Sequence, residues 1–581
     1  MSQIYHPLRI PGREALRIHV EHLPNGDAAG VQFPLQQSNL SVRQERTVLL
    51  VILAFAALIR GYGIWVPLPF YTVDEANFVW PAVFLPDHHF NPYASGAGWF
   101  GHPGHLLIYI LGASYCVYFF FGKLFGYFPD FGTFKTIFLY QPMSFYVIGR
   151  IESLLYGMIT ILGVYMIAKK CFGIRVAFLS ALFLAASPLH VEMSQIVRTD
   201  ILMTCLVTLA FLCSISVLQT SALWTYALAG VCIGLGVATK YPAAVAVIPL
   251  VFAHVAAMNM GAMTFNKLLD KKIWYSFVSS GLALAVGAPF VLLNLKKTVA
   301  LFRMQAGHSD ISSLNGAPWQ NYWWYLTSGL YDAHGLIIQL FVFMGLIFLL
   351  RRRNRIDFLL LSFPVVFLLC ISLFKGGFDQ WILPIVPFTS IIGAVGFVSI
   401  LERASKKWPR AGTKVAWIVA VLLAIGASTV RILAHDMQNV QKHYSIIANE
   451  WVEQHLPAGS VVALEELTPP VSTQKYRVLT APGVRNLQQI PPQQDSETNI
   501  HGRTWRYALG NVQEFSTLAE HGVQYAIVSL TNYTWFQRDP VKYRRELEFY
   551  ETLFRRGELL YEIPANTEPD GPVRIYKLKP S

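Results

Sequence analysis

The chain has 581 residues, 54% of them hydrophobic and only 14% charged, against roughly 25% charged in an ordinary soluble domain. That excludes a soluble or disordered chain, as does the mean hydropathy of +0.41. The net charge of +12 sits in short basic loops between apolar runs. Membrane proteins orient themselves in this way, whereas a DNA-binding face gathers its charge on one surface, so no nucleic-acid partner is expected. The six cysteines (Cys116, Cys171, Cys205, Cys213, Cys232, Cys370) all fall in apolar segments without a CxxC pair, and neither a disulfide scaffold nor a zinc site follows from them.

Residues 1–47 are polar, with no short apolar stretch and cleavage site, and read as a cytoplasmic tail. A hydrocarbon core of about 30 Å needs roughly 20 apolar residues in helix. Segments that fit run over 48–66, 145–168, 174–190, 201–218, 222–239, 242–258, 274–294, 335–350, 357–374, 381–400 and 414–433. A twelfth stretch, 104–121, is settled by the positive-inside rule. If it does not span, then the basic tail, Lys169, Lys170, Arg175, Lys267, Lys271, Lys272, the Arg351–Arg355 cluster and the Arg403–Arg410 cluster all fall on the cytoplasmic side. The expectation is therefore a polytopic α-helical membrane protein with about eleven spans over 48–434 and one long external loop, 67–144. From 435 to 581 the composition becomes mixed. Runs at Val461–Leu464, Tyr525–Leu530 and Val573–Leu578 alternate with helical stretches near 440–456 and 541–556, which predicts an external, periplasmic α/β domain.

Ionisable groups at a membrane helix end are costly unless they snorkel, pair or do chemistry. On the inner face they are runs of Lys and Arg. On the outer face they are isolated and of mixed sign: Asp74 and Glu75, His102, Arg150, Arg198 with Asp200, and Lys240 before Tyr241. A phosphate leaves without a general acid and gains from nearby cations, and an attacking hydroxyl gains from a carboxylate base. Opposed carboxylates and cations suit such a transfer.

The strings VDEANFVWPAVFL, FGHPGH, IGRIESLLYGMITILGVYMIAKKCFG, ASPLHVEMSQIVRTDILM, GLGVATKYPAAVAVIP and FDQWILPIVPF, in that order, resemble the landmarks of the GT-C membrane glycosyltransferases. Specifically, they resemble the bacterial relatives of the protein O-mannosyltransferases and of the lipid A aminoarabinose transferase. The tail IANEWVEQHLPAGSVVALEE, followed by GPVRIYKL, is also similar to the soluble end of such proteins. The resemblance implies a GT-C architecture in the cell (inner) membrane, a polyprenyl-phosphate sugar donor, and inverting transfer on the external side to a lipid, glycan or protein acceptor. No cofactor is expected. Asp74 takes the place of the catalytic carboxylate and Glu75 is its neighbour. Lys240, Arg150, His102 and Arg198 take donor-phosphate positions, and Asp200, Tyr241, Gln380 and Trp381 line the substrate pocket more weakly. His102-Pro103 stands where aminoarabinose transferases carry Lys-Pro, which argues against that sugar.

Each of these residues also has a plainer reading. Lys240 could snorkel at a helix end, and Arg198 with Asp200 could be an ion pair at a helix start. His102 and His105 lack a third metal ligand, so a divalent metal is not indicated. Gly230 and Gly234 form a GxxxG on an apolar helix, where close packing is the stronger reading. The aromatics between Trp319 and Tyr331 read as an interface belt. The rival function is a transporter or lipid flippase, which would place ionisable groups at mid-membrane and show two similar halves. This sequence has neither feature.

Overall fold

A computed structural model describes residues 41–65, 73–94, 104–140, 142–257, 270–307, 317–374, 378–407, 411–440, 444–465, 468, 471–472, 475–480, 509, 515–537, 540–541, 543–563 and 573–578. Helices dominate up to residue 440. They are α1 Val42–Gly63, α2 Val73–Phe84, α3 His105–Leu124, α4 Phe131–Tyr140, α5 Met143–Phe172, α6 Ile174–Ala185, α7 Pro188–Met193, α8 Thr199–Thr220, α9 Leu223–Thr239, α10 Val247–Ala257, α11 Lys271–Gly287, α12 Pro289–Leu293 and α13 Leu295–Gly307. After these come α14 Pro318–Trp324, α15 Leu330–His334, α16 Leu336–Arg352, α17 Arg355–Ser372, α18 Val386–Lys407 and α19 Ala411–Val440. Among the described residues, 7 helices are long and apolar enough to cross a membrane, and the 20-residue α3 is one of them. The chain is thus a polytopic α-helical membrane protein, and the 104–121 stretch is a continuous helix by length and composition able to span.

Proline sets where the apolar segments break, because the residue before it avoids helical geometry and its ring cannot continue an incoming helix. The stretch 174–190 stops at Ala185 and restarts at Pro188. The stretch 274–294 breaks at Ala288, whose φ −148° and ψ 61° lie outside the helix, before Pro289. Residues 241–257 open as a 3-10 turn, Tyr241–Ala246, around Pro242. Glycine sets how closely helices approach. A Cβ on Gly230 would lie 2.2 Å from the Ser276 carbonyl oxygen, and one on Gly234 would lie 2.2 Å from that of Ser280. The GxxxG is therefore the contact face of α9 against α11. Gly345 and Gly396 bring α16 and α18 together in the same way, with a Gly396 Cβ 2.2 Å from the Phe341 carbonyl oxygen.

Among the described residues, the C-terminal domain carries a five-stranded sheet in the order β2-β1-β3-β5-β4. Its strands are β1 Val461–Leu464, β2 Arg477–Thr480, β3 Tyr525–Ser529, β4 Gly557–Ile563 and β5 Val573–Leu578. The first three pair in parallel and β5 runs antiparallel to β3 and β4. Both faces are covered. Helix α20, Tyr444–His455, packs Ala448 and Val452 against Val462, Leu464 and Ile527. A later helix, Arg544–Arg556, packs Phe549, Tyr550 and Leu553 against Ala463, Ala526 and Val528. That two-sided cover is why β3 is buried at every position and reads as an unbroken apolar run.

Candidate active site

Among the described residues, Glu75, Arg150, Arg198, Asp200, Lys240 and Gln380 form two polar clusters in the bundle. Glu75, in the first turn of α2, meets Arg150 on α5, and neither side chain is exposed. Arg150 Nε donates to Glu75 Oε1 at 2.9 Å and Nη2 to Oε2 at 2.7 Å, the bidentate fork that guanidinium and carboxylate geometry favours. Arg150 Nη1 also donates to the Ile64 carbonyl at 2.9 Å, and the Val197 N–H donates to Glu75 Oε1 at 3.0 Å. One buried pair thus joins the end of α1, helix α2, helix α5 and the connection before α8. The Arg150 guanidinium is turned to Glu75 and to a backbone carbonyl and is fully enclosed.

A second cluster joins α8 and α9. Asp200 lies in the first turn of α8 and Lys240 caps the end of α9 in extended geometry, so each charge opposes the sign of its helix terminus. Lys240 Nζ donates to Asp200 Oδ1 at 2.8 Å, and Arg198 Nε stands 3.9 Å from Asp200 Oδ2. Asp200 is only 2% exposed, whereas Lys240 and Arg198 keep 14% and 18% of their side chains open. Gln380 adjoins them: with its amide nitrogen toward Asp379 Oδ1 (2.9 Å), its oxygen accepts from Arg198 Nη2 at 3.1 Å. Trp381 packs edge-on between the rings of Phe374 and Phe378, and Tyr241 packs on Phe302. Asp74 lies at the start of α2, one residue before the Glu75 anchor. Its side chain, and all of His102, lie outside the described residues.

Some polar residues here escaped the sequence reading. Gln195 donates to the Ile59 carbonyl (3.2 Å) and to Asp436 Oδ2 (3.0 Å), tying α1 to the end of α19. Glu192 lies on the α7 connection. Burial raises its carboxyl pKa, Asp379 and Asp436 push the same way, and His435 and Arg198 oppose them. The signal for Glu192 was present in the HVEMSQIVRTD string, where an acid sits six residues before Arg198. Among the described residues no cluster of three or more His, Cys, Asp or Glu could hold a metal.

The sequence family described as dolichyl-phosphate-mannose-protein mannosyltransferase matches residues 143–292, which span α5 to α12. No curated protein matches the chain. Two solved structures of ArnT from Cupriavidus metallidurans share the fold. The form bound to undecaprenyl phosphate is 13% identical with a TM-score of 0.54, over 91% of this chain and 97% of that one. The apo form is 14% identical with a TM-score of 0.51, over 91% and 98%. Taken together, the comparisons show an ArnT-like fold along nearly the whole chain and a protein-mannosyltransferase family match over α5 to α12.

Proposed function

We propose that the protein is an inverting glycosyltransferase that moves a sugar from a polyprenyl-phosphate donor to an acceptor hydroxyl or amine on the outer side of the cytoplasmic membrane. In this reading the bundle makes about eleven crossings over 48–434, residues 1–47 are cytoplasmic, and the domain from 435 onward is periplasmic. The observation that carries the reading is the Lys240–Asp200–Arg198 cluster at the same end of the bundle as α2, which the Glu75–Arg150 pair fixes in place. ArnT, which shares the fold, is a protein seen with undecaprenyl phosphate bound.

The chemistry assigned to the cluster is a single displacement. The acceptor oxygen or nitrogen forms its bond to the anomeric carbon as the carbon–oxygen bond to phosphate breaks, and the electron pair leaves on the phosphate. One displacement inverts the carbon. Lys240 and Arg198, the partly open cations, neutralise that developing charge. The enclosed Asp200 holds both cations in place, so they enter the reaction already oriented. Asp74 takes the acceptor's proton. Glu75 and Arg150 are positioning residues that act through the backbone of α2.

The test is Asp74→Asn, which keeps size but cannot accept the proton. Single-turnover transfer with purified protein in lipid should fall on the order of 100- to 10,000-fold, with donor binding and folding nearly unchanged. Near-normal turnover removes the base from this position. Sugar-lipid movement across the bilayer without a transfer product favours a flippase instead.

A further inference from the structure

Helix α5 carries a carboxylate that the site above does not use. Glu152 is 9% exposed, and the Tyr156 hydroxyl donates to its Oε2 at a long 3.4 Å. Its Oε1 is buried with no hydrogen-bond partner among the described residues. Ser114 and Tyr115 of α3 border the carboxyl, but the Tyr115 hydroxyl already donates to the Phe145 carbonyl at 3.0 Å. Arg150 cannot serve it either, since positions two apart on a helix do not face each other and the Arg150 guanidinium is turned to Glu75. Among the described residues Glu152 forms no ion pair with Lys, Arg or His. A carboxylate within a membrane helix is costly without a cation and is stabilised when one is brought to it.

The place of Glu152 narrows the kind of cation. Lys169 and Lys170 stand in the last turn of α5, and Glu152 is about 25 Å back along the helix from Lys169 at 1.5 Å per residue. Lysines at a helix end mark one boundary of a hydrocarbon core about 30 Å thick. Glu152 therefore sits just inside the opposite boundary, at a depth that lipid headgroups reach. It also lies at the edge of the bundle: Ile151 and Leu155 on α5 and Val117 on α3 are all exposed, whereas Ser153 and Gly157 on α5 are buried. An inorganic ion would have to shed its water to enter this seam and would make no use of the apolar flanks. A lipid ammonium arrives at this depth with its own N–H donors, and its acyl chains cover the flanks.

We propose that the seam between α3 and α5 binds a phospholipid whose headgroup carries a primary ammonium, with the ammonium donating to Glu152 Oε1 and the acyl chains lying along Ile151, Leu155 and Val117. The test uses the full chain in phosphatidylcholine nanodiscs doped with phosphatidylethanolamine of the same acyl chains, with co-purifying lipid counted by native mass spectrometry. The two lipids differ only at the nitrogen, so the comparison reads the N–H donors alone. The wild type should retain phosphatidylethanolamine roughly tenfold above its share of the bilayer, and Glu152→Gln should abolish that preference. The Gln variant should stay folded, because it removes a charge that has no protein counterion. Glu152→Asp, which keeps the charge, should keep part of the preference. Val117→Trp, which fills the seam without touching the carboxylate, should lower phosphatidylethanolamine retention as well, and it decides the matter if the Gln variant fails to fold. No phosphatidylethanolamine preference in the wild type, or an undiminished one in Glu152→Gln, would overturn the proposal. If sodium chloride instead stabilises the wild type in pure phosphatidylcholine discs and not the Gln variant, with no lipid preference in either, the occupant is an inorganic cation and the lipid assignment fails.

Discussion

Glu75→Gln is the perturbation whose energetic consequence the structure defines most sharply. The substitution is nearly isosteric but leaves the Arg150 charge fully enclosed without its carboxylate. Removing one partner of a buried pair costs about 3–5 kcal/mol, because the remaining charge stays desolvated. Arg150→Gln should cost a similar amount, since it strands Glu75 with only the Val197 N–H among the partners described above. Replacing both, as Glu75→Leu with Arg150→Met, removes both charges and leaves the Val197 N–H and the Ile64 carbonyl without these partners. At roughly 1–3 kcal/mol for each of these two buried polar groups left unsatisfied, the double variant should cost less than the sum of the singles. The assay is SDS titration in mixed micelles followed by helical circular dichroism, run on all four members of the cycle. Additive costs, or single variants within about 1 kcal/mol of wild type, would refute the argument that this pair anchors α2 to the bundle.

Three further outcomes are expected. Gly234→Ala should destabilise the bundle by at least 1–3 kcal/mol, because its Cβ meets backbone at 2.2 Å, while Gly281→Ala, with open space around it, should not; the same SDS titration reads both. Asp200→Asn should weaken undecaprenyl phosphate binding even though it removes a negative charge, because Lys240 and Arg198 lose the carboxylate that orients them; tighter binding would show that Asp200 merely competes with the phosphate. In the C-terminal domain, burial pushes the Glu465 carboxyl up to about 7, with the Tyr550 hydroxyl and the Leu509 and Ser529 N–H groups pulling it back. The folded state then holds more protons than the unfolded one between the ordinary value of 4.5 and about 7, so domain stability should fall as pH rises through that window, by about 3 kcal/mol in all. Hydrogen exchange of the β1 and β3 amides from pH 5 to 8, corrected for intrinsic rates, should lose this slope in Glu465→Gln; an unchanged slope would place its source elsewhere.

The helices were legible because hydropathy and length carry them. The stretch expected at 201–218 is α8, 199–220, and that at 222–239 is α9, 223–239. In the C-terminal domain β1 and β5 fall on the expected residues, and β3 differs by one. Strand β2, RVLT, and strand β4, GELLYEI, gave no such signal. Both are edge strands, and their cross-strand pairing belongs to tertiary structure. At the site, residue types were readable and partners were not. Nothing in the linear order says that Arg150 turns to Glu75, 75 residues away, or that Lys240 reaches Asp200. Gln195 passed unnoticed because an amide in an otherwise polar connection carries no local pattern, and its partner Asp436 is 241 residues distant.

Arg60, in the last turn of α1, bears on the order in which the chain assembles. Its side chain is wholly buried. Nη1 donates to the Ala56 carbonyl and to that of Ala185, and Nη2 to the Leu184 carbonyl, with His190 Nδ1 at 2.8 Å. Apart from the carbonyl on its own helix, these acceptors are made 124 to 130 residues later. On insertion scales an arginine at a helix centre costs roughly 2.5–3.5 kcal/mol, less towards an end. Helix α1 therefore enters the bilayer with part of its polar requirement deferred until α6 and α7 have been synthesised. Truncations after α1 should be retained in the membrane less firmly than truncations after α7, and Arg60→Leu should relieve the early defect while removing the cross-link that later holds α1 to α6.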